Sequence, residues 1–186
     1  MGLYERTLKI LEDRRKNLID GGINSIPSSF RRFSDDFIGV EQSTYYCVTS
    51  VTKGGKSQFA SYAFIYNPIL FAFYNRDKVR VKIFYFVLEE TQERVMQRFM
   101  SYILYHLSKG KIRISPKDLR SSKNDKPLPE EVLEILRSSE YAEILKFFED
   151  SIIFSTTANP TGIFKECQRY AEEHGTTHKK KSVYRG

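Results

Sequence analysis

Residues 50–58, "SVTKGGKSQ", combine the residue types that bind phosphate groups. A phosphate-binding loop needs glycines where side chains would keep backbone N–H groups from phosphate oxygens, and Gly54 and Gly55 supply them. Lys56 is placed to reach the terminal phosphates, and the hydroxyl of Ser57 is placed to bind Mg²⁺. The sequence therefore predicts a phosphate-binding loop that holds a nucleotide and Mg²⁺.

The loop departs from the usual pattern at one position, where Ser50 replaces the first glycine. Such a loop must also join a strand to a helix. The preceding residues 42–51, "QSTYYCVTSV", are typical of a buried strand, and the residues from Lys56 suit a helix ending near Asn67 and Pro68. We expect nucleotide contacts from Ser50, Val51, Thr52, Lys53, Gly54, Gly55, Lys56, Ser57 and Gln58. The alternative is an ordinary glycine turn beside a lysine.

A second strand, predicted at residues 79–90, ends in an acidic pair, Glu89 and Glu90. Ligands of parallel sheets bind at the carboxyl edge of the strands. A carboxylate there can orient and deprotonate a water molecule that attacks the terminal phosphorus. The alternative is that the pair favours the start of the next helix through its negative charge. These residues by themselves favour neither interpretation.

The elements that would position these groups alternate between strands and helices. Residues 91–110 predict a helix capped by Thr91, with a core-facing stripe formed by Val95, Phe99, Ile103 and Leu107. Three further predicted segments follow, namely one or two helices at 129–150, a strand at 151–157 and a helix at 159–175. This order predicts an α/β fold with a mainly parallel sheet flanked by helices.

The bulk composition indicates one folded domain. The chain has 186 residues, 40% of them hydrophobic, and contains neither a long apolar segment nor a signal-peptide core. Cys47 and Cys167 lie far apart, as suits a reducing compartment. We expect a soluble, cytoplasmic protein without a membrane partner, and the net charge of +7 favours an anionic partner.

Three segments together resemble the RecA-type motor domain of DnaB-like replicative DNA helicases, with phrasing similar to phage-type members. They are "GINSIPSSFRRF", "YYCVTSVTKGGKSQF" and "IFYFVLEET". In that family a G-I-P-T-G-F type segment precedes the phosphate loop, whose first position is often Ala. A later strand ends in an S-L-E-M type motif that carries the catalytic glutamate.

The resemblance implies a RecA-like P-loop NTPase that binds ATP and Mg²⁺ through Lys56 and Ser57, with Glu89 rather than Glu90 as the catalytic base. It implies ATP hydrolysis coupled to movement on single-stranded DNA in a hexameric ring, in the cytoplasm of a bacterial or phage-infected cell. Residues 1–20 would be a linker helix that packs on a neighbouring subunit, although a first helix that covers its own domain fits equally.

The same resemblance assigns residues 21–178 to a partial RecA-like domain and residues 179–186 to a basic tail. The family's Walker B strand, sensor and arginine finger have no counterpart, since the strand at 151–157 lacks a terminal acid and Asp150 stands at its start. We therefore expect the front part of a motor, incomplete at its C-terminus. We do not expect efficient ATP turnover from this chain alone.

Two alternatives stay open. A small-molecule kinase would need an acceptor pocket and an arginine-rich lid, for which residues 117–126, "KDLRSSKNDK", are the candidate. A nucleotide-binding or interaction module related to helicases, without catalysis, would need only the phosphate loop.

Overall fold

The computed structural model describes residues 2–30, 32, 35–42, 44–87, 90–120 and 127–175. Its α-helices are α1 (Leu3–Ile19), α2 (Lys56–Ser61), α3 (Asn67–Tyr74), α4 (Gln92–Leu107), α5 (Pro116–Leu119), α6 (Glu130–Leu136), α7 (Ser139–Ser151) and α8 (Pro160–His174). Its strands are β1 (Ser25–Pro27), β2 (Gly39–Glu41), β3 (Ile83–Phe86) and β4 (Ile152–Ser155). The helices predicted within residues 1–20, at 91–110 and at 159–175 are confirmed. The segment 129–150 forms two helices.

The core is built around α4, whose predicted apolar stripe is confirmed. Val95, Phe99 and Ile103 are fully buried, and Leu107 packs against the same cluster from its edge. The ring of Phe99 stacks on Phe148 of α7, with 3.9 Å between the ring centroids. Thr91 caps the helix as predicted, since its side chain accepts a hydrogen bond from a backbone N–H in the first turn.

The predicted strands at 79–90 and 151–157 pair with each other in parallel, as β3 and β4. The register places Ile83 beside Ile152, and the N–H of Val87 extends the ladder by donating to the carbonyl of Ser155. A second sheet pairs β1 and β2 in antiparallel fashion. The described residues thus combine helices with two two-stranded sheets, and a RecA-like sheet stays a prediction.

The strand predicted at 42–51 is wrong for the part that the structure describes. Residues 44–50 have no regular secondary structure, and Tyr45 is 90% exposed. In the described part of the chain, no backbone hydrogen bond connects this segment to a neighbouring strand. Aromatic and β-branched residues favour a strand only where a partner strand is present, and residues 44–50 have none among the described residues.

The helix predicted to end near Pro68 instead continues to Tyr74. A π-helical turn at Tyr62–Tyr66 joins α2 to α3, so residues 56–74 are helical without a break. Within it the N–H of Asn67 bonds to the carbonyl of Tyr62, five residues earlier. Pro68 has no N–H to donate to the helix. The wider π-helical turn before it allows the helix to continue through Pro68 at the start of α3.

Helix α1 lies on the surface and contributes no buried residue. Its connections to the domain are polar: Arg14 pairs with Glu41, and Asn17 donates to the Asn24 side chain. Both interpretations of this helix, as a linker to a neighbouring subunit and as a cover for its own domain, stay predictions. The basic tail predicted at 179–186 lies outside the described residues. None of the helices in the described ranges is both long and apolar enough to span a membrane.

Candidate functional site

Residues 50–58 are exposed and consist of a turn at 50–55 followed by the first residues of α2. The N–H of Gly54 donates to the carbonyl of Val51 at 3.0 Å, which closes the turn. Lys53 and Gly55 both have left-handed backbone conformations, with φ of 63° and 81°. Two such residues within three positions bend the backbone sharply before the helix begins.

The two glycines of this turn have different roles. A Cβ on Gly54 would lie 2.8 Å from the Oγ of Ser50 and 3.0 Å from the carbonyl oxygen of Val51, so a side chain there would force the turn open. A Cβ on Gly55 would meet open space, but the positive φ of this residue disfavours a side chain. The sequence prediction that both positions need glycine therefore has a separate geometric reason at each one.

The start of α2 presents unpaired N–H groups to solvent. Gly55 is the N-cap residue, and no side chain caps the helix. Lys56 and Ser57 occupy the first turn, and the first helical bond runs from the N–H of Phe59 to the carbonyl of Gly55 at 2.9 Å. Because the first N–H groups of a helix lack internal partners and carry a partial positive charge, this end attracts an anion.

The structure brings the nine predicted loop residues together in one exposed segment, but it does not show the expected strand before them. The predicted catalytic base, Glu89, lies outside the described residues. Within the described ranges, no hydrogen bond or ion pair joins the loop to Glu90.

Glu90, which follows β3, is held by two side chains. Its carboxylate accepts hydrogen bonds from the Tyr85 hydroxyl at 2.9 Å and from the guanidinium of Arg98 on α4. The hydrogen bond with Arg98 lowers the pKa of Glu90. Burial, together with the bond to Glu90, raises the pKa of Tyr85 to about 12. An ionised carboxylate with two donors is a weak proton acceptor, so Glu90 is suited to a structural role.

Tyr66, in the π-helical turn, lies on the other side of Arg98. Burial raises the pKa of Tyr66, and the nearby Arg98 guanidinium opposes this shift. The Tyr66 hydroxyl is buried and has no hydrogen-bond partner among the described residues. Arg98 therefore stands between the helix that follows the loop and the acidic end of β3.

Sequence reasoning did not identify Tyr66, Tyr85 or Arg98. Arg98 directly precedes Phe99 in the buried stripe, and a charged residue at the margin of such a stripe is the one available signal. Its partner Glu90 is eight residues earlier, beyond the reach of a helical spacing rule, so the pair is recognisable only after β3 and α4 are placed.

The proposed kinase lid is described only up to Arg120. Its first residues form α5, where Ser115 and Asp118 make a capping box. Residues 121–126 lie outside the described residues, so an arginine-rich lid stays a prediction.

Comparisons with protein-family models, with curated proteins and with solved structures found no match for this chain. The functional interpretation therefore rests on the geometry of residues 50–58, on the acidic end of β3 and on the resemblance of the three sequence segments.

We expect Glu90→Gln to destabilise the fold at neutral pH by about 1 kcal/mol, because Arg98 and Tyr85 lose a charged acceptor. The lowered pKa means that the stabilising contribution of Glu90 is present at neutral pH and is lost as the pH falls through that pKa. Urea unfolding from about pH 7 to pH 3 should therefore show a smaller loss of stability in the variant than in the wild type.

The matched control for this measurement is Glu130→Gln. Glu130 pairs with Arg137, but both side chains are more than two-thirds exposed, at 68% and 69%. Loss of this exposed pair should change the free energy of unfolding by less than about 0.5 kcal/mol. Equal effects of the two substitutions at pH 7 would contradict the structural role assigned to Glu90.

Proposed function

We propose that residues 50–58 bind the phosphates of ATP together with Mg²⁺. The observation that carries this proposal is the uncapped start of α2, which follows two left-handed residues and holds Lys56 and Ser57 in its first turn. Backbone N–H groups would bind the phosphate oxygens, the Lys56 ammonium would neutralise the terminal phosphates, and the Ser57 hydroxyl would bind Mg²⁺.

We further propose that Glu89 orients and deprotonates the attacking water. The neighbouring Glu90 is already bound by Arg98 and Tyr85, which supports assigning the catalytic role to Glu89. A base must accept a proton in the transition state, and a carboxylate held by two hydrogen-bond donors is the weaker candidate of an adjacent pair.

The wider proposal is that the chain is the nucleotide-binding part of a DnaB-like replicative helicase, acting in the cytoplasm of a bacterial or phage-infected cell. The three resembling segments support it, and the net charge of +7 suits single-stranded DNA as a partner. The exposed apolar residues of α1 suit a neighbouring subunit in a hexameric ring.

A second candidate function is nucleotide binding without hydrolysis. It is favoured by the lack of an acid at the end of the strand segment 151–157, where a Walker B carboxylate would bind Mg²⁺. The two candidates share the phosphate loop and differ only in turnover.

We expect Lys56→Ala to weaken Mg²⁺-dependent binding of a fluorescent ATP analogue roughly 10- to 100-fold, since a hydrogen bond to a charged group contributes about 1.5–3 kcal/mol. Lys165→Ala removes the same charge from an exposed position on α8 and should leave the dissociation constant unchanged. Equilibrium titrations with and without Mg²⁺ measure both. Wild-type affinity in Lys56→Ala would refute the phosphate loop.

Hydrolysis should depend on Glu89 and not on Glu90. If the chain, alone or joined by an intact helicase ring, turns over ATP, Glu89→Gln should reduce the rate at least about 100-fold while the analogue still binds, since a general base contributes about 10²–10⁴. Glu90→Gln should keep most of the rate. Nucleotide binding without any turnover would support the non-hydrolysing module. Phosphate transfer to a small acceptor would support a kinase.

A further inference from the structure

Five aromatic rings surround a small cavity beside residues 50–58. The cavity has a volume of 230 Å³ and is lined by rings from three stretches of the chain: Phe30, Phe37, Tyr46, Phe59 and Phe64. The rings form a continuous wall, since Phe30 stacks on Phe59 at 4.9 Å and Tyr46 lies 5.3 Å from Phe64, centroid to centroid. We call this cavity the aromatic pocket.

The chemistry of the aromatic pocket favours a flat, uncharged ring. None of the described residues that line it is charged. The one phenolic hydroxyl, on Tyr46, is already engaged, because it donates to the Gly39 carbonyl at 2.9 Å and accepts from the N–H of Glu41 at 3.0 Å. The pocket therefore offers ring faces for stacking and few groups for hydrogen bonding.

The volume fits one ring system rather than a whole ligand. It is several times the share of one water molecule, about 30 Å³, and lies below the roughly 300–1,000 Å³ of sites that enclose drug-sized ligands. A single ring system, such as the base of a nucleotide, fits within this volume.

The residues that line the aromatic pocket are also close in sequence to the proposed phosphate site. Cys47 and Val48 line it and stand immediately before residues 50–58, and Phe59 lines it from the first turns of the helix. Lys56 and Phe59 are three residues apart on one helix, a rise of about 4.5 Å. One nucleotide is long enough to reach both places, because the ribose and the inner phosphates separate its base from its terminal phosphates.

We propose that the aromatic pocket binds the nucleobase of the nucleotide whose phosphates bind residues 50–58. This inference rests on the proposed function and extends it to the base. Because stacking on aromatic side chains tolerates any base, the pocket should accept adenine and guanine alike and favour either purine over the smaller pyrimidines.

The test compares ATP with inorganic triphosphate, both with Mg²⁺, by calorimetry on the wild-type chain. Stacking of one base should make ATP bind about 5- to 150-fold more tightly than triphosphate. Phe64→Leu and Phe37→Leu keep apolar volume but remove a ring, so each should lower this ratio roughly 5- to 10-fold and leave triphosphate affinity unchanged. Tyr45→Leu is the matched control, since Tyr45 is 90% exposed and does not line the pocket.

A second readout uses the wild-type chain and does not depend on the folding of any variant. Cys47 lines the aromatic pocket and Cys167 lies on α8, so the two thiols can be followed separately by mass spectrometry during alkylation with N-ethylmaleimide. ATP should slow the alkylation of Cys47 and leave Cys167 unaffected. Inorganic triphosphate should protect neither thiol.

The outcomes separate the two proposals. If triphosphate and ATP bind with equal affinity and protect Cys47 equally, the pocket does not hold the base, and the phosphate loop stands. If Tyr45→Leu lowers the ATP ratio as much as Phe64→Leu, the pocket assignment is also overturned. If neither ligand binds the wild type, the phosphate loop and the base site are both wrong.

Discussion

The packing of α4 fixes the element on which the candidate site depends. Phe99 stacks on Phe148, and its ring centroid lies 5.4 Å from that of Tyr66, so the helical segment 56–74 is anchored to the core at its π-helical turn. Ile69, in the same segment, is fully buried. The other end of the segment, at Lys56, is exposed. A helix held at one end and free at the other presents its first N–H groups in a fixed direction, which a binding site for an anion requires.

The same helix α4 also organises the acidic end of β3. Arg98 precedes Phe99, so its position follows from the burial of its neighbour, and its guanidinium holds Glu90 while it faces Tyr66. Packing of the apolar stripe sets the distance between α4 and its neighbours. The ion pair with Arg98 then fixes the position of Glu90, which follows β3.

The sequence predicts those features that one segment decides alone. The stripe that includes Val95 and Phe99 follows from helical periodicity, and the cap at Thr91 follows from residue type, so both appear as expected. The strand before the loop fails because a strand needs a partner that residues 44–50 do not find. Arg98 with Glu90, and the aromatic pocket, arise where separate segments meet, and a single sequence carries no spacing rule for such contacts.

Hydrogen–deuterium exchange of the wild-type chain, measured with and without ATP and Mg²⁺, tests whether residues 50–58 bind the phosphates of the nucleotide. If residues 50–58 bind phosphates through the start of α2, the amides of Gly54 to Gln58 should exchange more slowly with the nucleotide, and those of α8 should not change. Unchanged exchange in the loop at saturating ATP, or protection confined to another element, would contradict the account.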